Sequence, residues 1–209
     1  MEGGIESRLT DGLMGLGLAL QPAQVGALLG LVTELLDWNT RVNLTAITDP
    51  AEVVDKHLLD SLAVLPYMKG LQVADVGTGA GFPGLPLAIA DLDRRYTLIE
   101  STGKKATFVR HVAAVLNLPN VDVVQGRAET LRPRKPFDTV IARALGSLSE
   151  FVRMAGHLVG RSGRLLAMKG KVPKDELKAL PAGWKALAVH PIRVPGLDAE
   201  RCLVEIGRV

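Results

Sequence analysis

Three groups of residues carry the chemical content of this sequence: the stretch VADVGTGAGFPG at 73–84, the acid Glu100, and the basic residues Arg143 and Lys169 in IARA and AMKG. Gly79 to Gly84 fits G-x-G-x-x-G, the fingerprint of a dinucleotide-binding turn. Asp75, Gly77, Gly79 and Gly81 form an overlapping D-x-G-x-G-x-G. Such glycines let backbone approach a ligand closely and adopt φ > 0, and a helix starting near Pro83-Gly84 points its N-terminus at the same pocket. Glu100 stands about 20 residues beyond the turn, where a carboxylate accepts both hydroxyl protons of a ribose. That acid serves NAD and S-adenosylmethionine equally. Asp75 discriminates between them. A dinucleotide turn faces a pyrophosphate and gains nothing from an acid just upstream, whereas S-adenosylmethionine carries a sulfonium and an ammonium group and no phosphate. The bland alternative is that Asp75 caps the turn. The pattern favours a methyl-donor site, with an NAD(P)-dependent oxidoreductase as the alternative.

Elimination narrows the reaction. Methylating carbon 5 of a pyrimidine needs a cysteine thiolate as covalent nucleophile, and the one cysteine, Cys202, falls on a strand-like run of the tail, away from the strand ends. Exocyclic base amines are often methylated beside an Asn/Asp-Pro-Pro-aromatic turn, but this chain has Ala142-Arg143-Ala144-Leu145 there. An arginine offers a fixed fork of donors for phosphate, carboxylate or a base edge and is a poor proton acceptor. The reaction should therefore need little base catalysis. Guanine N7 meets that condition, because its lone pair carries no proton; proximity and alignment then supply most of the rate. Arg143 could instead pair with a structural acid such as Asp138. Lys169 ends the next strand in what looks like the corresponding place. His57 reads as a structural histidine, and Trp38 and Phe108 as core.

The elements that must position these residues are legible. At 209 residues, 47% hydrophobic and 22% charged, the chain has the size and composition of a globular protein with a sizeable core. Residues 22–38 place Val25, Leu28, Leu29, Val32, Leu35 and Leu36 at helical spacing, and a second helix begins at Asp49-Pro50. From Leu71 short apolar runs at 71–76, 96–100, 121–125, 137–142 and 163–169 alternate with helix-like stretches at 84–91, 102–116 and 147–158. Strands alternating with helices imply a doubly wound, mainly parallel α/β sheet. The runs 184–194 and 201–209 have no helix between them and read as an antiparallel pair. The expected organisation is an N-terminal helical extension at 1–68 packed on a Rossmann-like domain at 69–209. A single cysteine excludes an internal disulfide and a multi-cysteine zinc site, and no leader or clean membrane span is visible, so a cytoplasmic protein is expected.

Charge is segregated. Residues 1–60 hold 3 Lys/Arg against 9 Asp/Glu, and residues 100–178 hold 15 against 7. A cationic face of this kind suits an anionic partner such as nucleic acid. Lys104, Lys105, Arg110, Arg127, Arg132, Arg134 and Lys135 are the candidate phosphate contacts, with RPRKP at 132–136 as a rigid basic loop.

WNTRVNLTAI (38–47), KHLLDS (56–61), DVGTGAGFPGLPLAI (75–89), GRAE (126–129), IARA (141–144), AMKG (167–170) and VPGLDAERCLV (194–204) together resemble the ribosomal small-subunit methyltransferase G family, also called glucose-inhibited division protein B. The resemblance implies a class I S-adenosylmethionine-dependent methyltransferase fold with a seven-stranded sheet. It also implies a cytoplasmic enzyme, expected to be a monomer, that methylates guanine N7 in a loop of 16S rRNA. By position it places donor-binding residues at Gly77, Phe82, Ala128, Glu129 and Arg143, with Ala128 and Glu129 lining the adenine. It associates Asn43 and Lys169 with activity. Where the family often has Arg-His before L-D-S, this chain has Lys56-His57, and no site role is assigned to Lys56. A non-catalytic RNA-binding module with a degenerate donor pocket is the remaining alternative.

Overall fold

The alternation that begins at residue 71 forms strands. In the computed structural model, which describes residues 2–209, they are β1 (Gln72–Val76), β2 (Arg95–Glu100), β3 (Val121–Gln125), β4 (Phe137–Arg143), β5 (Val159–Lys169), β6 (Trp184–Ile192) and β7 (Arg201–Arg208). Their order across the sheet is β3-β2-β1-β4-β5-β7-β6. β3, β2, β1, β4 and β5 run parallel, and β7 is antiparallel to both β5 and β6. Strand order reverses between β1 and β4, and ligands of such sheets lie beyond the carboxyl ends at that point.

Helices cover both faces. α5 (Gly84–Ala90) and α6 (Gly103–Val115) lie on one face together with α1 (Glu2–Gly15) and α2 (Pro22–Asn39), whereas α7 (Leu148–Ala155) lies on the other. Side chains of a strand alternate between faces. Val73, Leu98, Ile141, Leu166 and Leu203 therefore join the core under the N-terminal helices, while Ala74, Ile99, Val140, Leu165 and Val204 join the core under α7. α2 is locked to the sheet layer by Gln24, whose Oε1 accepts from the Gln21 N–H and whose Nε2 donates to the Ile89 and Ala90 carbonyls at the end of α5.

Two features differ from the sequence reading. Within the expected helical extension, α1 was not delimited, because its glycine-rich sequence has weak helix propensity; it is held by burying Leu9 and Leu13, one turn apart. The helix expected from Asp49-Pro50 is not uniform. Asp49 caps α3 (Pro50–Val53) through the Glu52 N–H. A wide π-helical turn follows at Val54–Leu59, and α4 (Asp60–Leu62) resumes the narrower winding. π-turns insert a residue and frequently occur at functional sites.

Leu31 on α2 is fully buried, whereas Leu92 is exposed. Leu31→Ala is expected to cost about 2–5 kcal/mol in urea unfolding, and Leu92→Ala less than about 0.5 kcal/mol. Equal effects would contradict a shared core beneath the N-terminal helices.

Candidate functional site

The loop after β1 winds through positive φ at Gly77 (68°), Gly79 (60°) and Gly81 (90°). Two acids hold it there. Asp75 is fully buried, and its Oδ2 accepts from Thr78 Oγ at 2.6 Å and from the Gly84 N–H at 2.8 Å. Glu100, also buried, accepts from the Gly79 N–H (2.9 Å) through Oε2 and from the Thr102 N–H (2.7 Å) through Oε1. Asp75 thus caps the turn, the bland reading of the sequence. Burial pushes the Asp75 carboxyl up to about 6, against the hydrogen bonds from Thr78 and Gly84 and the Arg143 charge, which pull it down. No room exists for a side chain at residue 84: a Cβ there would meet Leu98 Cδ2 at 2.1 Å and Asp75 Oδ2 at 2.8 Å.

Two cavities open beside this loop. The turn cavity, about 170 Å³, is walled by Val76, Gly77, Ile99, Ala128, Leu145 and Met154, with Ser101, Arg127 and Glu129 as polar members. It continues into a second lobe of about 440 Å³ that shares Glu129, Leu145 and Met154. Flat apolar walls with a few convergent polar groups suit a nucleoside. The arginine cavity, about 760 Å³, lies beyond the ends of β4 and β5 and takes in Lys56, His57, Asp60, Arg143, Lys169 and Arg201. Leu145 lines both, because Ala144 adopts φ +56° and turns the chain between them.

Arg143 ends β4 facing the N-terminal helices. Its Nη1 donates to the Lys56 carbonyl (3.1 Å) and to Asp60 Oδ2 (3.2 Å). The guanidinium carbon sits 5.3 Å from the centre of the Phe82 ring, within cation–π range. His57 stacks on the same ring at 4.7 Å and contacts Thr45 Oγ at 2.9 Å through Nε2. Burial first, and the Arg143 charge second, hold His57 down at about 4, so its ring is neutral near pH 7. Lys169 points to the other face. Its Nζ donates to the Gly146 carbonyl (2.6 Å) and to Glu176 (2.9 Å) on α8 (Lys174–Lys178). Glu176 also accepts from the Leu148 N–H, so this lysine anchors the 144–147 loop and the start of α7.

The family model GidB, rRNA small subunit methyltransferase G, matches residues 24–204. The chain belongs to this family. Ribosomal RNA small subunit methyltransferase G of Azoarcus sp. (strain BH72) is 49% identical over 202 residues, 96% of this chain and 95% of that protein. Its counterpart in Xanthomonas campestris pv. campestris (strain 8004) is 46% identical over 204 residues, 98% and 95% of the two chains. Among solved structures, the glycopeptide N-methyltransferase MtfA complexed with S-adenosyl-L-homocysteine superposes with a TM-score of 0.63 at 14% identity, over 73% of this chain and 87% of that one. A SAM dependent methyltransferase from Aquifex aeolicus gives 0.57 at 19% identity, over 76% and 93%. With the strand order above, these likenesses establish the class I S-adenosylmethionine-dependent methyltransferase fold.

In this methyltransferase G chain the expected donor residues divide by position. Gly77, Ala128 and Glu129 lie on the wall of the turn cavity. Gly79, Gly81, Asp75 and Glu100 shape the loop from behind, and Phe82 is buried beneath Arg143. Asn43 is exposed on the 40–49 loop, which Asn39 pins through Leu44 and Thr45, and it is on neither wall. Asp138 is not the partner of Arg143; it sits near the amino end of β4 and accepts from the Leu71 and Gln72 N–H groups. Cys202 is opposite Lys169 at the carboxyl end of β5, closer to the site than expected, yet it is buried, and burial raises its pKa, so it supplies no thiolate. Arg134 and Lys135 precede β4 at the far end of the sheet, while Arg127 lines the turn cavity, so the basic segment is not one face. Ser101, Leu145, Met154, Asp60 and Arg201 were missed, and only the L-D-S motif and the E-R-C of the tail hinted at the last two.

Because His57 stays neutral when folded but charges near pH 6.5 when unfolded, the unfolded state binds more protons between about pH 4 and 6.5. Its contribution to stability is therefore lost as pH falls through that window. Histidine NMR titration should place the His57 midpoint near 4; a midpoint near 6.5 would contradict the buried stack on Phe82.

Proposed function

We propose that this protein transfers the methyl group of S-adenosylmethionine to N7 of a guanine in a loop of bacterial 16S rRNA. Membership of the methyltransferase G family over residues 24–204 is the observation that carries this reading. The site supports it. The turn cavity offers a nucleoside its apolar walls (Ile99, Ala128, Leu145 and Met154) and the carboxylate of Glu129, and we assign the donor to Gly77, Ala128 and Glu129. Bound there, S-adenosylmethionine supplies an electrophilic methyl group on a sulfonium.

The acceptor is assigned to the arginine cavity, on the other side of Leu145. N7 has a free lone pair, so no residue must remove a proton before attack. The lining agrees: Arg143 is a cation, and Asp60 has both carboxylate oxygens engaged by arginines. Arg143 orients the acceptor with its guanidinium donors, and the 144–147 loop, anchored by Lys169, borders both cavities at Leu145, where N7 comes into line with the methyl group of the donor. An A-form helix hides N7 in a deep, narrow groove, so the target guanine must lie in an open loop or be flipped into the cavity.

We take residues 1–68 as an extension packed on the catalytic domain 69–209 that contributes Lys56, His57 and Asp60 to the acceptor side. We place the protein, as an enzyme acting on small-subunit RNA, in the cytoplasm, and we take it to act as a monomer.

Transfer of labelled methyl groups to small subunits lacking this modification is expected for the wild type. Arg143→Ala should lower kcat/KM at least about 100-fold. Gly77→Asp, which forces a side chain toward Leu145 at a positive φ, should abolish donor binding in calorimetry. Binding of NADH but not S-adenosylmethionine would instead establish the oxidoreductase reading.

A further inference from the structure

The arginine cavity contains a second guanidinium that the family resemblance left without a role. Arg201 opens β7, two strands from Arg143. Adjacent strands are about 4.8 Å apart, so the two backbones stand roughly 10 Å from each other. Register puts both side chains on the same face. Arg143 pairs with Met168, which pairs with Leu203, and Arg201 shares the parity of Leu203. Two cations so placed repel each other unless something holds them.

Asp60 does. Its Oδ2 accepts from Arg143 Nη1 at 3.2 Å and its Oδ1 from Arg201 Nε at 2.8 Å. The carboxylate is 5% exposed, against 21% and 28% for the arginines. A buried carboxylate between two half-buried guanidinium groups leaves one net positive charge facing the cavity. The π-turn makes the reach possible. Its wider winding brings the Lys56 carbonyl, the His57 ring and Asp60 to the same side, and Arg143 contacts all three. The Arg201 Nη1 is fixed separately by the Glu200 carbonyl at 3.0 Å.

We propose that Asp60 is a positioning residue for methyl transfer, clamping Arg143 and Arg201 side by side as a paired guanidinium cradle for a backbone phosphate of the RNA that enters the arginine cavity. The proposal rests on the acceptor assignment above. Arg201 is then a substrate-binding residue supplied by the tail of the chain, while Asp60 acts through the arginines. The two arginines together hold a backbone phosphate beside the acceptor guanine and so keep that base near the donor. A phosphate suits the pair because two adjacent guanidinium forks match its oxygens.

The test compares Asp60→Asn, Arg201→Gln and the double variant in labelled-methyl transfer to unmodified small subunits. Asparagine keeps the volume of Asp60 and one acceptor while removing the charge. Asp60→Asn is expected to lower kcat/KM for RNA about 10- to 100-fold, with the S-adenosylmethionine Kd in calorimetry unchanged within about twofold. Arg201→Gln should raise KM for RNA about tenfold and reduce the salt dependence of RNA binding by about one counterion. The double variant should be little worse than Asp60→Asn, because both changes break one unit. Multiplicative losses, or parallel loss of donor affinity and thermal stability in Asp60→Asn, would overturn the proposal. A measurement independent of activity accompanies these. In 15N spectra the side chains of Arg143 and Arg201 should show slowed guanidinium rotation that both lose in Asp60→Asn; unchanged signals would overturn the clamp. A wild type that leaves rRNA unmethylated would count against the substrate reading, and the guanidinium spectra would still decide whether the clamp exists.

Discussion

Two buried carboxylates determine where everything else in this site can be. Asp75 and Glu100 stand at the carboxyl ends of neighbouring parallel strands; Asp75 Oδ2 and both Glu100 oxygens accept from donors of the glycine turn and the segments flanking it. A buried charge without partners is costly, so the turn must wind as it does to supply N–H and hydroxyl groups. The positive φ values at Gly77, Gly79 and Gly81 are the conformational cost of that winding. With the turn fixed, α5 starts at Gly84, Gly77 faces the turn cavity, and Phe82 becomes a platform for His57 and Arg143.

From that platform outward, the sheet's two-residue period assigns the roles. Arg143 and Lys169 end adjacent strands and look equivalent in sequence, but register pairs Arg143 with Met168. An offset of one residue sends a side chain to the opposite face. Arg143 therefore meets the N-terminal helices, and Lys169 meets α8 and the 144–147 loop. Both basic residues at the ends of β4 and β5 reach the rim of the arginine cavity, but from opposite faces of the sheet: Arg143 contacts the N-terminal helices, and Lys169 holds the 144–147 loop.

Much of this was legible in the sequence. The strand and helix alternation after residue 71 gave the parallel sheet and its antiparallel close, because burial on both faces leaves short apolar runs that stand out against turn residues. The turn was legible from residue spacing, and Glu100 and Arg143 stand at the strand ends where the sequence put them. What stayed hidden depended on register or on side-chain competition. For Asp75 the sequence left two roles, ligand partner or cap of the turn, because it does not show that Thr78 and Gly84 bond to one of its oxygens. Asp60 and Arg201, 141 residues apart, meet only because a π-turn and an antiparallel register bring them together. The basic run 132–136 looked like a surface because spacing along the chain conceals that β4 begins at the far end of the sheet.

The central claim is that a neutral-to-cationic acceptor cavity beside a carboxylate-set donor turn methylates a position that needs no base. Mapping N7-methylguanine in 16S rRNA from cells with and without this protein tests it most directly. The account predicts one guanine in a loop that carries the N7-methyl group when the protein is present and loses it when the protein is absent. An unchanged N7-methylguanine map would contradict it, as would loss of a methyl group from an exocyclic amine or a pyrimidine carbon instead.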